Sequence, residues 1–447
     1  MDRDDRISVT VLVMKLPFGD AINKSLKASN SDTGIRFVDV DRVDLPPVQL
    51  LITSPESYFS VYAEKNTPHI RNTVTDIMSS SHSQYSDDDS VSVVTGLVVD
   101  FNFIHMIDAA IELGLPSYLF YVSNIGVLSL LKYLSTRHDG HEFQSSDSDL
   151  IIPGFVNPVP VSVLISGLFN KDGYTAYVKH AQRIKDVNGI IVNTFSELEQ
   201  YSVNSFSGGG RNPPVYTVGP LINPKCQPNL DLDEAQGKKI LNWLNDQPES
   251  SVVFLCFGTV GGFSPRQVKE IATGLEQSEC RFLWSLRASP LHQSSSTTNV
   301  DDLPEGFMER ARGRGMICGW APQVEVLAHK AIVGFVSHCG WNSILESLWY
   351  GVPIVTWPLY AEQQLNAFRM VKEFGLAVEM RLDSRMYDGD DDHLVMADER
   401  ARAIRCVMDG DNEVRKKVKE MSVFARKSTL EGGSSFNSLG LFIDMNF

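Results

Sequence analysis

The sequence predicts an α/β protein with two doubly wound parallel sheets in succession. Short apolar, β-branched runs alternate with helical stretches along the chain, the pattern of parallel sheets with crossover helices. The alternation restarts after a Pro/Gly-rich passage near the middle, so the two halves read as two versions of one plan. The length of 447 residues suits two or three domains at roughly 150 residues each.

In the first half, strands are expected at ISVTVLVM (7–14), IRFVDV (35–40), TGLVVD (95–100), PSYLFYV (116–122) and GIIVNTF (189–195). Helical patterns such as SYFSVYAEKNTPHIRNTVTDIM and MIDAAIELG lie between them, the latter closing on Gly114 before Pro116. NPPVYTVGPLINPKCQPNLD (212–231) reads as an interdomain linker. SVVFLCFG (251–258) then opens the second series as a buried strand. SPRQVKEIATGLEQSE follows as a helix with Ser264 as N-cap and Pro265 in the first position. RFLWSLR, GMICGW, IVGFVSH and PIVTWP continue the strands, while Ser79–Ser90 and Gln293–Asp302 read as polar loops.

Forty basic against 55 acidic residues leave a net charge of −15, with no basic stripe. That argues against nucleic acid or an anionic membrane as partner. The acidic runs Asp87–Asp89 and Asp388, Asp390–Asp392 read as solvated loops; DGDDDH lacks the alternation and closing Glu of a calcium loop. The six cysteines are scattered without a CxxC pair, as free thiols in a reducing cytosol are. The start is charged and no apolar run reaches about 18 residues, so neither a signal peptide nor a membrane span is expected.

The chemistry concentrates in IVGFVSHCGWNSILESLWYGVPIVTWP. A buried strand runs through His338-Cys339-Gly340 into a helix from Trp341 to about Tyr350, ended by Gly351 and Pro353. This arrangement aims free N–H groups and the positive end of the helix dipole at the carboxyl edge of the sheet. A phosphate or diphosphate is the natural ligand, with Asn342, Ser343 and His338 as further donors. Read alone, the stretch also fits an ordinary capped helix. Glu346 lies one turn beyond Ser343 and can accept two hydrogen bonds from a vicinal diol such as ribose. Trp320, at a strand exit, can stack on a base or simply fill the core. Glu362 and Gln363 after PIVTWP suit sugar hydroxyls, and Gly258-Thr259 closes the first strand of the second half. Four strand ends thus converge where open α/β sheets bind ligands. No GxGxxG follows a strand and opens a helix, which weighs against a nicotinamide enzyme.

These residues carry a resemblance. WAPQVEVLAHKAIVGFVSHCGWNSILESLWYGVPIVTWPLYAEQ, from Trp320 to Gln363, resembles the signature box of plant secondary-product UDP-glycosyltransferases. The VGP linker, DQPESSVVFLCFG and the closing helix after Gly432-Gly433 extend the likeness over essentially the whole chain. It is nearest the branch acting on flavonoids, triterpenoids and simple phenolics. The resemblance implies the GT-B fold of two facing Rossmann-like domains. Residues 1–219 would bind the acceptor, 220–235 would link, 236–430 would bind the UDP-sugar, and a helix at about 431–447 would pack back on the first domain. Trp320 would stack on uracil, and Ala321 and Gln323 would bond base and ribose. Glu346 would hold the diol. His338, Gly340, Asn342, Ser343 and Thr259 would hold the diphosphate. Trp341, Glu362 and Gln363 would line the sugar, with Gln363 favouring UDP-glucose. No metal or cofactor is implied: helix dipole, His338 and main-chain donors would stabilise the leaving UDP. A soluble cytoplasmic monomer is expected, with UDP-glucose and a small lipophilic acceptor as partners.

The family's catalytic pair is a His–Asp dyad, and Asp100 in GLVVDFNFIHMID matches its Asp. The His should lie in a PxPGxGH-like turn after the first strand. None of the ten histidines sits in such a turn, and His105 reads as structural. The resemblance therefore implies that strand 7–14 is the second of its sheet, with the first strand and most of the first helix lacking. Strands 7–14 and 95–100 would then have no shared neighbour, leaving a damaged N-terminal domain beside an intact C-terminal one. Inverting glucose transfer to a hydroxyl is the expected function, with activity of this chain in doubt. A non-catalytic UDP-sugar-binding isoform is the alternative.

Overall fold

The computed structural model describes residues 7–15, 35–82, 93–137, 140–208, 212–223, 234–287, 302–385 and 394–447. The acidic runs at 87–89 and 388–392, Cys226, and most of the expected polar loops Ser79–Ser90 and Gln293–Asp302 lie outside them; Ser79 to His82, read as loop, instead end the helix Pro55–His82, which the polar composition of SSSH did not reveal.

The second half forms a six-stranded parallel sheet of β7 (Val252–Cys256), β8 (Arg281–Ser285), β9 (Gly315–Cys318), β10 (Ile332–Ser337), β11 (Ile354–Thr356) and β12 (Ala377–Glu379). Their spatial order is β12-β11-β10-β7-β8-β9, with the first strand in the middle. That is the doubly wound order, reversing direction at β7/β10. All of β7 and β10 is buried, as both faces of a parallel sheet require. Val252 and Phe254 enter the core on one face; Val253, Leu255 and Phe257 enter the core on the other, as the period of two dictates. The helix Pro265–Ser278 begins as read: the Ser264 side chain accepts from the Gln267 N–H at 3.2 Å.

The first half is divided. β3 (Leu97–Asp100), β4 (Ser117–Tyr121), β5 (Gly189–Val192) and β6 (Val215–Thr217) form a four-stranded parallel sheet. β1 (Thr10–Val13) and β2 (Arg36–Asp39) pair only with each other. The strands at 7–14 and 95–100 thus fall in separate sheets. Exposure marks the break: Val98 in β3 is 51% exposed and Val9 beside β1 40%, while Ile190 and Val192 in β5 are fully buried. Packing nevertheless crosses it. Leu12, Met14 and Val40 join one core with Val99, Leu119 and Ile190, and Tyr62 Oη donates to the Lys15 carbonyl at 3.0 Å.

Two strands, β6 and β12, arise where none was expected. β6 lies within the passage read as a linker and pairs with β5. The last helix, Ser434–Asn446, packs on the first half: Phe442 meets Tyr118 and Tyr216 edge-on, and Tyr118 Oη donates to Asn446 Oδ1 at 3.0 Å. Among the described residues, no helix is long and apolar enough to cross a membrane.

Candidate active site

The turn between β10 and the helix Trp341–Tyr350 is built for a close ligand. Cys339 takes a left-handed φ of 62°, and its N–H bonds to Ser337 Oγ at 3.1 Å. Gly340 is the N-cap and has no side chain to satisfy the first N–H groups, which stay available to an anion. His338 is wedged between two glycine turns. A Cβ on Gly340 would lie 2.5 Å from His338 Nε2, and one on Gly258, the glycine after β7, 2.6 Å from it. Gly258 also has φ +72°. Only glycine leaves this space at both positions.

His338, read from the sequence as a donor to the anion, carries no charge before a ligand arrives. Burial pushes its pKa down to about 4, the charge of Arg287 adds to this, and a hydrogen bond to Cys256 backbone opposes it. The ring is neutral at physiological pH, and its buried Nδ1 has no hydrogen-bond partner among the described residues. A diphosphate beside it would raise the pKa again. The Cys339 thiol, pushed up to about 12 by burial, is a packing group.

Beyond this turn opens a cavity of about 340 Å³ at the carboxyl edge of β7, β8, β9 and β10. Thr259, Trp320, Ala321, Gln323, His338, Ser343 and Glu346 line it, as the sequence led us to expect, and Tyr360 closes one side. Gln323 Nε2 donates to Ser343 Oγ at 2.9 Å and to Glu346 Oε2 at 2.7 Å. The pair fixes a carboxylate and an amide side by side on the wall. Burial raises the Glu346 pKa, and the Gln323 bond partly offsets it. The cavity also holds Ser285 and Arg287, which sequence reading passed over. Both stand at the carboxyl end of β8, the position that singled out Trp320, but within RFLWSLR they looked like plain strand.

Of the remaining candidates, Trp341, Asn342 and Glu362 sit where the two halves meet, and Gln363 bonds within its own loop. Trp341 is buried, and its indole N–H donates to the Asn193 carbonyl at 2.7 Å. Asn342 Oδ1 accepts from Asn193 Nδ2 at 3.1 Å. Glu362 Oε1 accepts from Ser123 Oγ at 3.0 Å. Gln363 Oε1 holds the Leu359 and Tyr360 N–H groups, both at 3.0 Å. Asn193 and Ser123 follow β5 and β4, so the carboxyl edges of the two sheets face each other across these contacts. Asp100, at the end of β3, accepts from the Asn102 N–H at 2.9 Å; burial raises its pKa, which that bond partly offsets. No histidine among the described residues forms an ion pair or hydrogen bond with it. His105 packs against His180 instead, ring centroids 5.1 Å apart.

Behind the interface lies a buried polar network. Arg369 bonds to Asn124 Oδ1 at 2.8 Å and Ser202 Oγ at 2.7 Å, and forms ion pairs with Glu373 at 2.8 Å and with Glu199. Asn124 in turn donates to Asn366, whose amide reaches the Cys339 carbonyl at 2.9 Å. The chain of contacts ends at the glycine turn itself.

With this geometry in place, comparison with known proteins is informative. Residues 222–389 match the family model for UDP-glucuronosyl and UDP-glucosyl transferases. UDP-glycosyltransferase 71K1 of Malus domestica is 51% identical over 453 residues, covering 99% of this chain and 93% of its own. The chain belongs to the UDP-glycosyltransferase family. Flavonol 3-O-glucosyltransferase UGT71C4 of Arabidopsis thaliana is 48% identical over 98% of this chain and 91% of its own length. The crystal structure of Medicago truncatula UGT71G1 complexed with UDP-glucose superposes with a TM-score of 0.87 at 48% identity, covering 98% of this chain and 91% of that one. The GT-B architecture and the UDP-sugar co-substrate of plant UDP-glycosyltransferases follow from these matches.

Proposed function

We propose that this glycosyltransferase takes glucose from UDP-glucose and delivers it, with inversion, to a hydroxyl of a small lipophilic acceptor. A flavonoid is the leading class; triterpenoids and simple phenols are the others. One observation carries the reading: an indole, the Gln323–Glu346 pair and a glycine-walled helix N-terminus converge on one cavity. These are a base platform, a diol acceptor and a diphosphate cradle in the sequence a nucleotide needs. The UDP-glucose bound in the Medicago truncatula relative and the flavonol named for the Arabidopsis thaliana relative support donor and acceptor. In this reading Trp341, Glu362 and Gln363 line the glucose. Their contacts to Asn193, Ser123 and the Leu359–Tyr360 loop set the closed edge of its pocket. Residues 1–219 serve the acceptor and 236–430 the donor, joined at 220–235. The free thiols suit the reducing cytoplasm, and the chain acts there as a monomer.

Asp100 orients the general base of the transfer. Because no described histidine bonds to it, a second reading stands beside the first: the chain binds UDP-glucose and transfers slowly, by a factor of about 10²–10⁴. The test is product formation from a flavonol and phenol panel with UDP-glucose, against UDP-galactose as control, read by chromatography and mass spectrometry. Glucosides formed from UDP-glucose support the first reading. UDP-glucose binding without product selects the second, and preference for UDP-galactose removes the donor assignment.

A further inference from the structure

The donor cavity has a charge deficit. A diphosphate brings at least two negative charges, and Glu346 adds another on the wall. The helix N-terminus supplies the equivalent of about half a positive charge. His338 is neutral at physiological pH before a ligand arrives. Among the described residues that line the cavity, Arg287 alone is a permanent cation.

Its present position is telling. The Arg287 guanidinium lies over the Trp320 ring, 4.1 Å from the centroid, and donates to the Gly258 carbonyl. It therefore spans the base platform and the phosphate turn, since Gly258 is the glycine packed on His338 Nε2. It also occupies the place over the indole that a stacked base needs. A cation–π contact is weaker than a charge-assisted, bidentate bond to phosphate. Exchange of one for the other is downhill, and the side chain is already anchored beside the destination.

We infer that Arg287 is the charge partner of the donor's diphosphate, held over Trp320 until the uracil base takes that place. Donor binding then moves the guanidinium from indole to phosphate, so the base and the diphosphate are recognised together. At the transfer step the same cation faces the charge that develops on the departing UDP. This rests on the donor-site reading above and adds to it a residue outside the signature box.

Calorimetric titration of UDP and of uridine, which lacks the phosphates, separates the two claims. Arg287→Ala is expected to weaken UDP about ten- to a hundredfold, the worth of a hydrogen bond to a charged group. Uridine affinity should stay equal or rise, because the Trp320 face is vacated. Arg287→Gln keeps the length and a donor for Gly258 without the charge, and should repeat the result if the alanine variant does not fold. UDP binding unchanged in either folded variant, or UDP and uridine weakened together, overturns the role of Arg287. If the unaltered chain binds neither ligand, it is the donor-site reading that fails.

Discussion

The two halves of the molecule differ in their sheets: the second half has one six-stranded parallel sheet, the described first half two separate ones. In the second half β7 lies between β8 and β10, and Gly258 and Thr259 leave its carboxyl end to wall the donor cavity. In the first half β1-β2 and β3-β4-β5-β6 are two separate sheets among the described residues, sharing one core. The cavity is thus built on a central strand buried on both faces, while Asp100 ends β3, in which Val98 is half exposed. The contrast is between a cavity whose lining residues assemble on one complete sheet and Asp100, which has no imidazole partner among the described residues.

The halves are tied most strongly at Arg369, so that is where the comparison can be broken hardest. Arg369 and both its carboxylate partners are essentially buried. Arg369→Ala leaves Glu199 and Glu373 as uncompensated buried charges and should cost about 3–5 kcal/mol of unfolding free energy. Denaturant unfolding measures this directly. A loss below about 1 kcal/mol would mean that the halves do not depend on each other through this network.

Amide hydrogen exchange sharpens the contrast next. Among the described residues the β1 and β3 edges carry ladder groups without a neighbouring strand, so their amides should exchange at least about a hundredfold faster than those of β7 and β10. Equal protection would show that the break in the first sheet has no energetic consequence.

A smaller effect tests the donor wall. Glu346→Gln should weaken UDP about tenfold, through loss of the charged acceptor for the ribose diol. Because burial raises the Glu346 pKa, that carboxylate takes up its proton at a higher pH than an exposed one. UDP affinity should therefore fall as pH drops toward the raised pKa, and the glutamine variant should lose this acid limb. A variant with the same pH profile as the unaltered chain would exclude Glu346 from the donor contact.

Much of this was legible in the sequence because apolar runs bounded by Gly and Pro are strong strand signals. β7, β10 and the helix Trp341–Tyr350 fall within a few residues of where periodicity and end signals put them. Trp320, Ser343 and Glu346 were readable from position, at a strand exit and one helical turn apart, whereas Gln323 came only with the family resemblance. β6 and β12 were not, since three residues among prolines or after Gly375 carry too little pattern. Nor were the positions of Trp341, Asn342 and Glu362, whose partners Asn193 and Ser123 lie more than a hundred residues away. Such contacts depend on how two sheets face each other, which no local spacing encodes. The neutral state of His338 was hidden for the same reason: burial and the charge of Arg287 determine it, and both come from tertiary structure.

The central claim is that the second half carries a complete donor site whatever the state of the first. Calorimetric titration of UDP-glucose into the unaltered chain tests it most directly. One saturable site per chain, lost in Gly340→Val, where the added side chain would collide with His338, is the predicted result. A folded chain that takes up no UDP-glucose, or one whose binding survives that substitution undiminished, would contradict it.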